Sequence, residues 1–313
     1  MKIGVDIMGG DFAPEATIKG AILAHDELSA GDSLVLFGDE DIIHSLAKEQ
    51  GFDTGKFTIV HSNEFIHMGE HPAKAYAQKP TSTINLGFQY LRDEKINGFA
   101  SAGNTGAMLV GAMHTAKSIP GVIRPSITAS VPTGNDKPII LLDVGINPDA
   151  KPDVLYQYGM LGSIYAEYVY NIEKPKVGLM NIGSEEEKGN LLTKATFQAM
   201  KDTRDFNFIG NIEGNDMFND EKVNVIVCDG FVGNVMLKEA EAFYYLIKKQ
   251  NISNEFFEKF NFENYGGTPI LGINHTAIIG HGISNETAIK NMILHTRKVV
   301  DANLIEKIKE AFK

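Results

Sequence analysis

Short apolar runs separated by longer stretches of mixed polarity repeat from one end of this chain to the other. The runs at 2–7, 33–37, 57–61, 138–143, 175–181 and 223–228 are rich in Ile, Val, Leu and Phe, and several end in Gly, Asn or Asp. Near-continuous apolar character over so few residues is the pattern of strands buried on both faces. Between them, the stretches at 14–29, 104–118, 152–170, 185–201, 233–249 and 285–311 have the length and polarity of helices. Strands alternating with helices predict an α/β fold, a mostly parallel sheet sandwiched by helices. The alternation breaks near 120–137. There Pro120, Pro125 and Pro132 bracket the β-prone run Ser126–Val131, and Gly134-Asn135-Asp136 reads as the turn of a hairpin. From Gln250 to Asn264 the chain is polar but carries Phe256, Phe257, Phe260 and Phe262, which suit core packing or a subunit contact.

A chain of 313 residues, 43% hydrophobic and 22% charged, can bury a substantial core and sits near the size at which one core divides. With no repeat, low-complexity tract or Pro/Gly linker, residues 1–313 are expected to form a single domain with two lobes around a central cleft. The balance of 29 Lys+Arg against 40 Asp+Glu gives a net charge of −11, which excludes any global attraction to nucleic acid or to an anionic bilayer. Met1-Lys2 leads straight into a strand rather than a secretory leader, and no window approaches the roughly 18 to 20 apolar residues needed to span a bilayer. A cytoplasmic protein is expected. The single cysteine, Cys228, excludes a disulfide framework and a multi-cysteine metal cage, and its apolar surroundings suit a buried small side chain.

In an open parallel sheet, ligands bind beyond the carboxyl ends of the strands, so the turns that follow strands are where chemistry belongs. The first such turn, Asp6–Glu15, has the pair Gly9-Gly10, which serves either a tight turn or close approach to a ligand. The second, Ala100–Ala107, sets Asn104, Thr105 and Gly106 at a helix start, where free N–H groups and two side chains make either an anion cradle or an ordinary cap. In the third, Val177–Asn190, Ser184 and Glu187 fit a capping box for a helix starting near 185. Lys188 opposes the helix dipole there, and Gly189 is a poor helix residue; the lysine either reaches toward the strand end or pairs with a nearby glutamate. The fourth, Cys228–Val235, contains Gly233 and Asn234, the latter a helix cap or a ligand donor. A fifth loop places His281 between Gly280 and Gly282, as a base or as a hydrogen-bonded wall. The chain lacks G-x-x-x-x-G-K-[ST], a G-x-G-x-x-G after the first strand, H-E-x-x-H and G-x-S-x-G, which removes the main support for nucleotide, dinucleotide, zinc-protease and serine-hydrolase readings. What remains suits direct attack by one bound reactant on another.

Taken together the turns resemble those of the bacterial phosphate acyltransferases of phospholipid synthesis. The resemblance rests on Val5–Asp11, Ala100–Ala107, Leu141–Asn147, Asn181–Glu185 with Lys188–Asn190, Phe208–Gly214 and Cys228–Asn234, in the family's order as far as His281-Gly282. It implies a fold similar to isocitrate and isopropylmalate dehydrogenases, a homodimer, and no metal or organic cofactor. The implied reaction moves a fatty acyl group from acyl-[acyl carrier protein] to inorganic phosphate. The acyl phosphate would then feed a membrane glycerol-3-phosphate acyltransferase on the way to phosphatidic acid. Lys188 and Asn234 match the family's catalytic positions. Phosphate and substrate binding is expected at Gly10, Asn104, Thr105, Gly106, Asn181, Gly183, Gly233 and His281. The carrier protein is acidic, so a local cluster among Arg92, Lys95, Lys117, Arg124, Lys248, Lys249, Arg297 and Lys298 is expected to meet it. Family members often attach peripherally to the inner face of the membrane through a longer, more apolar hairpin before Tyr265-Gly266-Gly267. Here Gln250–Asn264 is short and polar. Competing readings are a phosphate acetyltransferase-like enzyme using acyl-CoA, a decarboxylating dehydrogenase of related architecture, and a non-catalytic acyl-carrier-binding protein.

Overall fold

Apolar runs become strands wherever neighbouring strands can bury them. The computed structural model describes residues 1–135 and 137–313, the side chain of Phe262 excepted. In chain order, β1 (Lys2–Asp6), α1 (Glu15–Glu27), β2 (Ser33–Gly38), α2 (Glu40–Glu49), β3 (Thr58–His61), α3 (Pro72–Gln78), α4 (Thr83–Arg92), β4 (Gly98–Ser101) and α5 (Thr105–Gly111) begin one unit, Met1–Ser118 with Phe262–Asp301. A second unit, Ile119–Asn261 with Ala302–Lys313, holds β5 (Ser126–Val131), β6 (Ile139–Leu142), α6 (Pro152–Tyr170), β7 (Lys176–Met180), α7 (Leu191–Met200), β8 (Asn207–Ile212), β9 (Val225–Val227), α8 (Gly230–Lys249) and α9 (Glu255–Glu258). The chain then returns to the first unit for β10 (Thr268–Leu271), β11 (Thr276–Ile279) and α10 (Glu286–Asp301), and ends in the second with α11 (Leu304–Ala311).

In the first unit the strands lie in the order β3-β2-β1-β4-β11-β10, parallel except for the β10–β11 pair. Neighbouring residues of β4 show both faces covered. A side chain at Gly98 would strike Thr296 and Val300 on α10, whereas Phe99 points the other way, against Phe88 and Gly87 of α4. Gly20 lets α1 lie directly on Ile289 of α10. In the second unit the order is β5-β6-β9-β7-β8, with β5 antiparallel to β6 and the rest parallel. Here too the faces alternate. Leu142 and Val225 meet Gly162 of α6, while Leu141 and Ile226 join the core that Val232, Met236, Leu237 and Ala240 of α8 cover.

The α/β reading and the β5–β6 hairpin follow the sequence pattern, although Asp136 of the expected turn lies outside the described residues. Three helix expectations are corrected. The helix expected from 185 begins only at Leu191, capped by Asn190 accepting from Thr193 N, so Ser184 and Glu187 form no capping box. The stretch 285–311 is broken by Asn303 in the left-handed region (φ 51°) into α10 and α11. The stretch 104–118 changes from α to a π-helical turn at Ala112–Ala116. Short elements leave little pattern of their own: β4 reads Gly-Phe-Ala-Ser and owes its burial to β1 and β11 on either side. Phe260 packs on Phe218 and Phe256, so this aromatic stretch is used within its own unit; Phe262's side chain lies outside the described residues. Among the described residues no helix is long and apolar enough to cross a membrane.

Helix α10 buries His295, whose pKa is pushed down to about 4 because burial disfavours the charged ring, with the charge of Lys298 adding to the effect. The unfolded chain takes up that proton near pH 6.5. It therefore binds more protons than the folded chain between these values, and stability falls as pH drops from about 6.5 toward about 4. In urea unfolding at pH 7 and pH 5, His295→Gln should lose about 2 kcal/mol less than the wild type on acidification. Equal losses would mean that His295 is not held neutral.

Candidate active site

Each unit gathers its glycine-rich turns at the carboxyl edge of its own parallel strands, and each edge is organised by a buried aspartate. In the first unit Asp6 ends β1. Its Oδ2 accepts from Ser101 Oγ at 2.7 Å and its Oδ1 from Met8 N at 3.1 Å, while burial raises its pKa. Ser101 Oγ in turn accepts from Gly103 N at 3.0 Å. A Cβ at Gly9 would lie 2.4 Å from Asp6 Oδ2 and 2.8 Å from Gly103 N, so only glycine lets the first turn close onto the second. The loop after β11 joins them. Asp11 N donates to Gly282 O at 2.7 Å, beside Gly10 at φ 119°, and Ser284 Oγ donates to His281 O at 2.6 Å. Gly10, the 104–106 turn and the His281 loop therefore share one edge.

Asn104 is fully engaged with its own chain. Its Oδ1 caps α5 by accepting from Ala107 N, and its Nδ2 lies 3.1 Å from each of the carbonyl oxygens of His67, Met68 and Glu70. The side chain thereby ties the 67–70 loop to the start of α5. Gly106 lets Pro72 approach, since a Cβ there would lie 2.3 Å from Pro72 Cγ. Thr105 between them is exposed.

In the second unit Asp143 follows β6, fully buried. Its carboxylate accepts from Ser126 Oγ and Ile127 N at 3.1 Å each, from Asn147 N at 2.6 Å and from Asn147 Nδ2 at 3.3 Å. Burial nonetheless raises its pKa, outweighing those bonds. The loop it shapes pairs with the turn after β9: Gly145 N donates to Gly230 O at 3.0 Å and Gly230 N to Asn147 O at 2.9 Å. A Cβ at Gly233 would lie 2.0 Å from Asp143 O, so glycine alone allows the first turn of α8 to sit on the end of β6. Asp229, not Asn234, caps α8, accepting from Val232 N at 2.8 Å. Asn234 sits one turn in, its side chain bordering Gly145. Cys228 is buried, and burial pushes its thiol up, away from nucleophilic use.

The third turn, 181–190, is a loop bound back on itself. Asn181 Oδ1 accepts from Ile182 N and its Nδ2 donates to Lys188 O, while Gly189, at φ 95°, lies so close that any side chain would collide with Asn181 and Thr193. The stem of Lys188 crosses Gly183, whose missing side chain would meet Lys188 Cγ at 2.9 Å. Lys188 is exposed and has no carboxylate partner among the described residues; Glu186 pairs instead with Lys201. Because β7 and β9 are adjacent and in register, with Leu179 opposite Val227, the Lys188 loop and the Asn234 helix leave from neighbouring strand ends. Among the described residues this edge thus offers an unpaired cation, an amide without a hydrogen-bond partner and a helix start. Asp143, Asn147 and Asn211 entered the sequence reading only inside the motifs that carry the resemblance, with no role of their own. A polar residue closing an apolar run was the available signal, but ordinary turns carry the same signal. Among the described residues no group of three His, Cys, Asp or Glu side chains is placed to hold a metal ion.

Solved structures share this fold. A phosphotransacetylase from Streptococcus pyogenes superposes with a TM-score of 0.70 at 17% identity over 98% of this chain and 94% of its own. A branched-chain phosphotransacylase from Enterococcus faecalis V583 gives 0.64 at 12% identity over 96% and 99%. In sequence, the phosphate acyltransferase of Dictyoglomus turgidum is 40% identical over 99% of this chain and 97% of that protein. The protein of the same name from Salinibacter ruber is 38% identical over 99% and 97%. A family profile described as fatty acid synthesis protein matches residues 1–307. With nearly the whole chain matched by the profile and by these relatives, it belongs to the fatty acid synthesis protein family, that of the phosphate acyltransferases.

Proposed function

We infer that this protein is an enzyme that transfers an acyl group to inorganic phosphate, and we propose acyl-[acyl carrier protein] as the donor. The observation that carries the reading is the pairing of an unpartnered Lys188 ammonium with the uncommitted amide of Asn234 at neighbouring strand ends. In the reaction a phosphate oxygen attacks the thioester carbonyl carbon. The new C–O bond forms, the C–S bond breaks, and the electron pair leaves on sulfur as a thiolate that takes its proton from solvent. Phosphate is already largely dianionic near neutral pH, so no protein nucleophile is required, and the enzyme's contribution is placement and charge stabilisation. Lys188 offsets the charge of the phosphate or of the developing oxyanion, and Asn234 donates to the carbonyl oxygen. Backbone N–H groups around Gly183, in the loop bracketed by Asn181, donate to phosphate oxygens; beside Gly233, whose own N–H bonds Asp229 O, the first turn of α8 offers Phe231 N. The turns at Gly10, Asn104, Thr105, Gly106 and His281 contribute to substrate binding, with Asn104 acting through the loop it anchors.

The same reading takes the enzyme as a homodimer acting in the cytoplasm, its product consumed by a membrane glycerol-3-phosphate acyltransferase. For the carrier protein, Arg92, Lys95, Lys248 and Arg297 already have acidic partners on their own chain. Lys117, Arg124 and Lys249 have none among the described residues and are the better candidates.

Thiol release from palmitoyl-[acyl carrier protein] should depend on inorganic phosphate and match the acyl phosphate trapped as hydroxamate. Turnover with acyl-CoA alone would favour the acetyltransferase-like reading, and binding without turnover a non-catalytic one. Lys188→Ala and Asn234→Ala should each lower kcat roughly 100- to 1,000-fold with melting unchanged. Near-normal turnover in both would remove these assignments. Raising salt should slow the carrier-dependent reaction and leave a small thioester unaffected; equal sensitivity would argue against electrostatic docking.

A further inference from the structure

The motif Phe208–Gly214 supplies no residue with a role in the proposed reaction, yet one of its residues touches the Lys188 loop. Along β7 and β8, Val177 faces Phe208 but Leu179 faces Asn211, so three residues of β8 advance against two of β7. Gly210, at φ 96°, absorbs the extra residue in a conformation that favours glycine. A one-residue bulge reverses the alternation of side chains and turns Asn211 to the face that a regular strand would have given to its neighbour. There Asn211 is buried, and its Nδ2 donates to Glu185 O at 2.8 Å. The same carbonyl accepts from Lys188 N at 3.2 Å. The bond that closes the Lys188 turn and the bond from Asn211 therefore share one acceptor. Asn211 Oδ1, meanwhile, is buried with no hydrogen-bond partner among the described residues, an arrangement that costs stability. A residue that is poor for stability, reached through a glycine-dependent bulge and bonded to the turn that carries the unpaired cation, fits a role in geometry rather than in folding.

We propose that Asn211 is a positioning residue for acyl transfer, fixing the Glu185 carbonyl and through it the backbone of Lys188; this rests on the role given to Lys188 under Proposed function. Asn211 does not touch the reacting atoms. Its loss lets the Lys188 turn shift while the fold stands.

The test is a double-mutant cycle on the full-length protein, with Asn211→Ala, Lys188→Ala and the double variant assayed for phosphate-dependent thiol release from acyl-[acyl carrier protein], alongside thermal melting. Because N211A removes the stranded acceptor together with the donor, its melting should stay close to that of the wild type, while kcat falls roughly 10- to 100-fold and KM for the carrier substrate holds. In the K188A background the same change should cost less than about twofold, because residues acting through one another are not additive. Should alanine leave the protein unfolded, Asn211→Thr keeps much of the volume and still lacks the amide donor. Impaired K188A beside unimpaired N211A, or an equal loss from N211A in both backgrounds, overturns the inference alone. Wild-type turnover in K188A overturns the reading of Lys188 and this inference with it.

Discussion

Asp143 is a carboxylate with no access to water, an arrangement tolerated only when the protein supplies hydrogen bonds in place of the solvent. Four donors from Ser126, Ile127 and Asn147 do so, and in doing so they fix where the chain goes after β6. The 143–147 loop is then rigid enough to serve as a surface. Gly230 and Gly233 close onto it, α8 starts in one position, and Asn234 emerges one turn later beside Gly145. Asp6 has the corresponding task in the first unit, where it ties the turn after β1 to the turn after β4 through Ser101. In both units a costly buried carboxyl group exchanges stability for a single arrangement of loops at the strand ends.

The loop that carries Lys188 follows a different logic. Beyond the turn bond from Lys188 N to Glu185 O its shape depends on Asn181, Asn211 and the left-handed Gly189, all of which act on the backbone and leave the lysine side chain without a carboxylate partner among the described residues. An exposed ion pair would add little to stability, so its absence costs the fold almost nothing. It leaves a cation available to an anionic reactant. The catalytic role proposed for Lys188 and Asn234 requires donors that are already in place when charge develops, and a braced loop next to a capped helix is consistent with that requirement.

Much of this architecture is legible in the order of residues along the chain. Apolar runs long enough to be buried strands, and helix-length stretches between them, decide the α/β class, because burial on both faces of a sheet leaves that pattern in any sequence. The glycine-rich turns are found for a similar reason: glycine after a strand marks a place where the backbone must turn or approach closely, and Gly9, Gly189 and Gly233 each do so. Single residues within the turns are less legible. Asn104 and Asn234 each read as a helix cap or a ligand donor, since the same side-chain chemistry serves both, and nothing local marks Asn190 and Asp229 as the residues that cap α7 and α8.

The sequence by itself determined the class of fold, the glycine-rich turns at the strand ends and, through the ordered motifs, the family. Tertiary structure decided which polar side chain in each turn is occupied: Asp229 caps α8 and leaves Asn234 uncommitted, Asn190 starts α7 and leaves Lys188 in a loop, and Asn104 is held by three carbonyls of a distant loop. The bulge that turns Asn211 toward Glu185 was likewise invisible, because the register between β7 and β8 is a property of two strands rather than of either one. Local pattern records burial and turning, which each residue meets individually. Hydrogen-bond partners far apart in sequence are chosen only when the strands have paired.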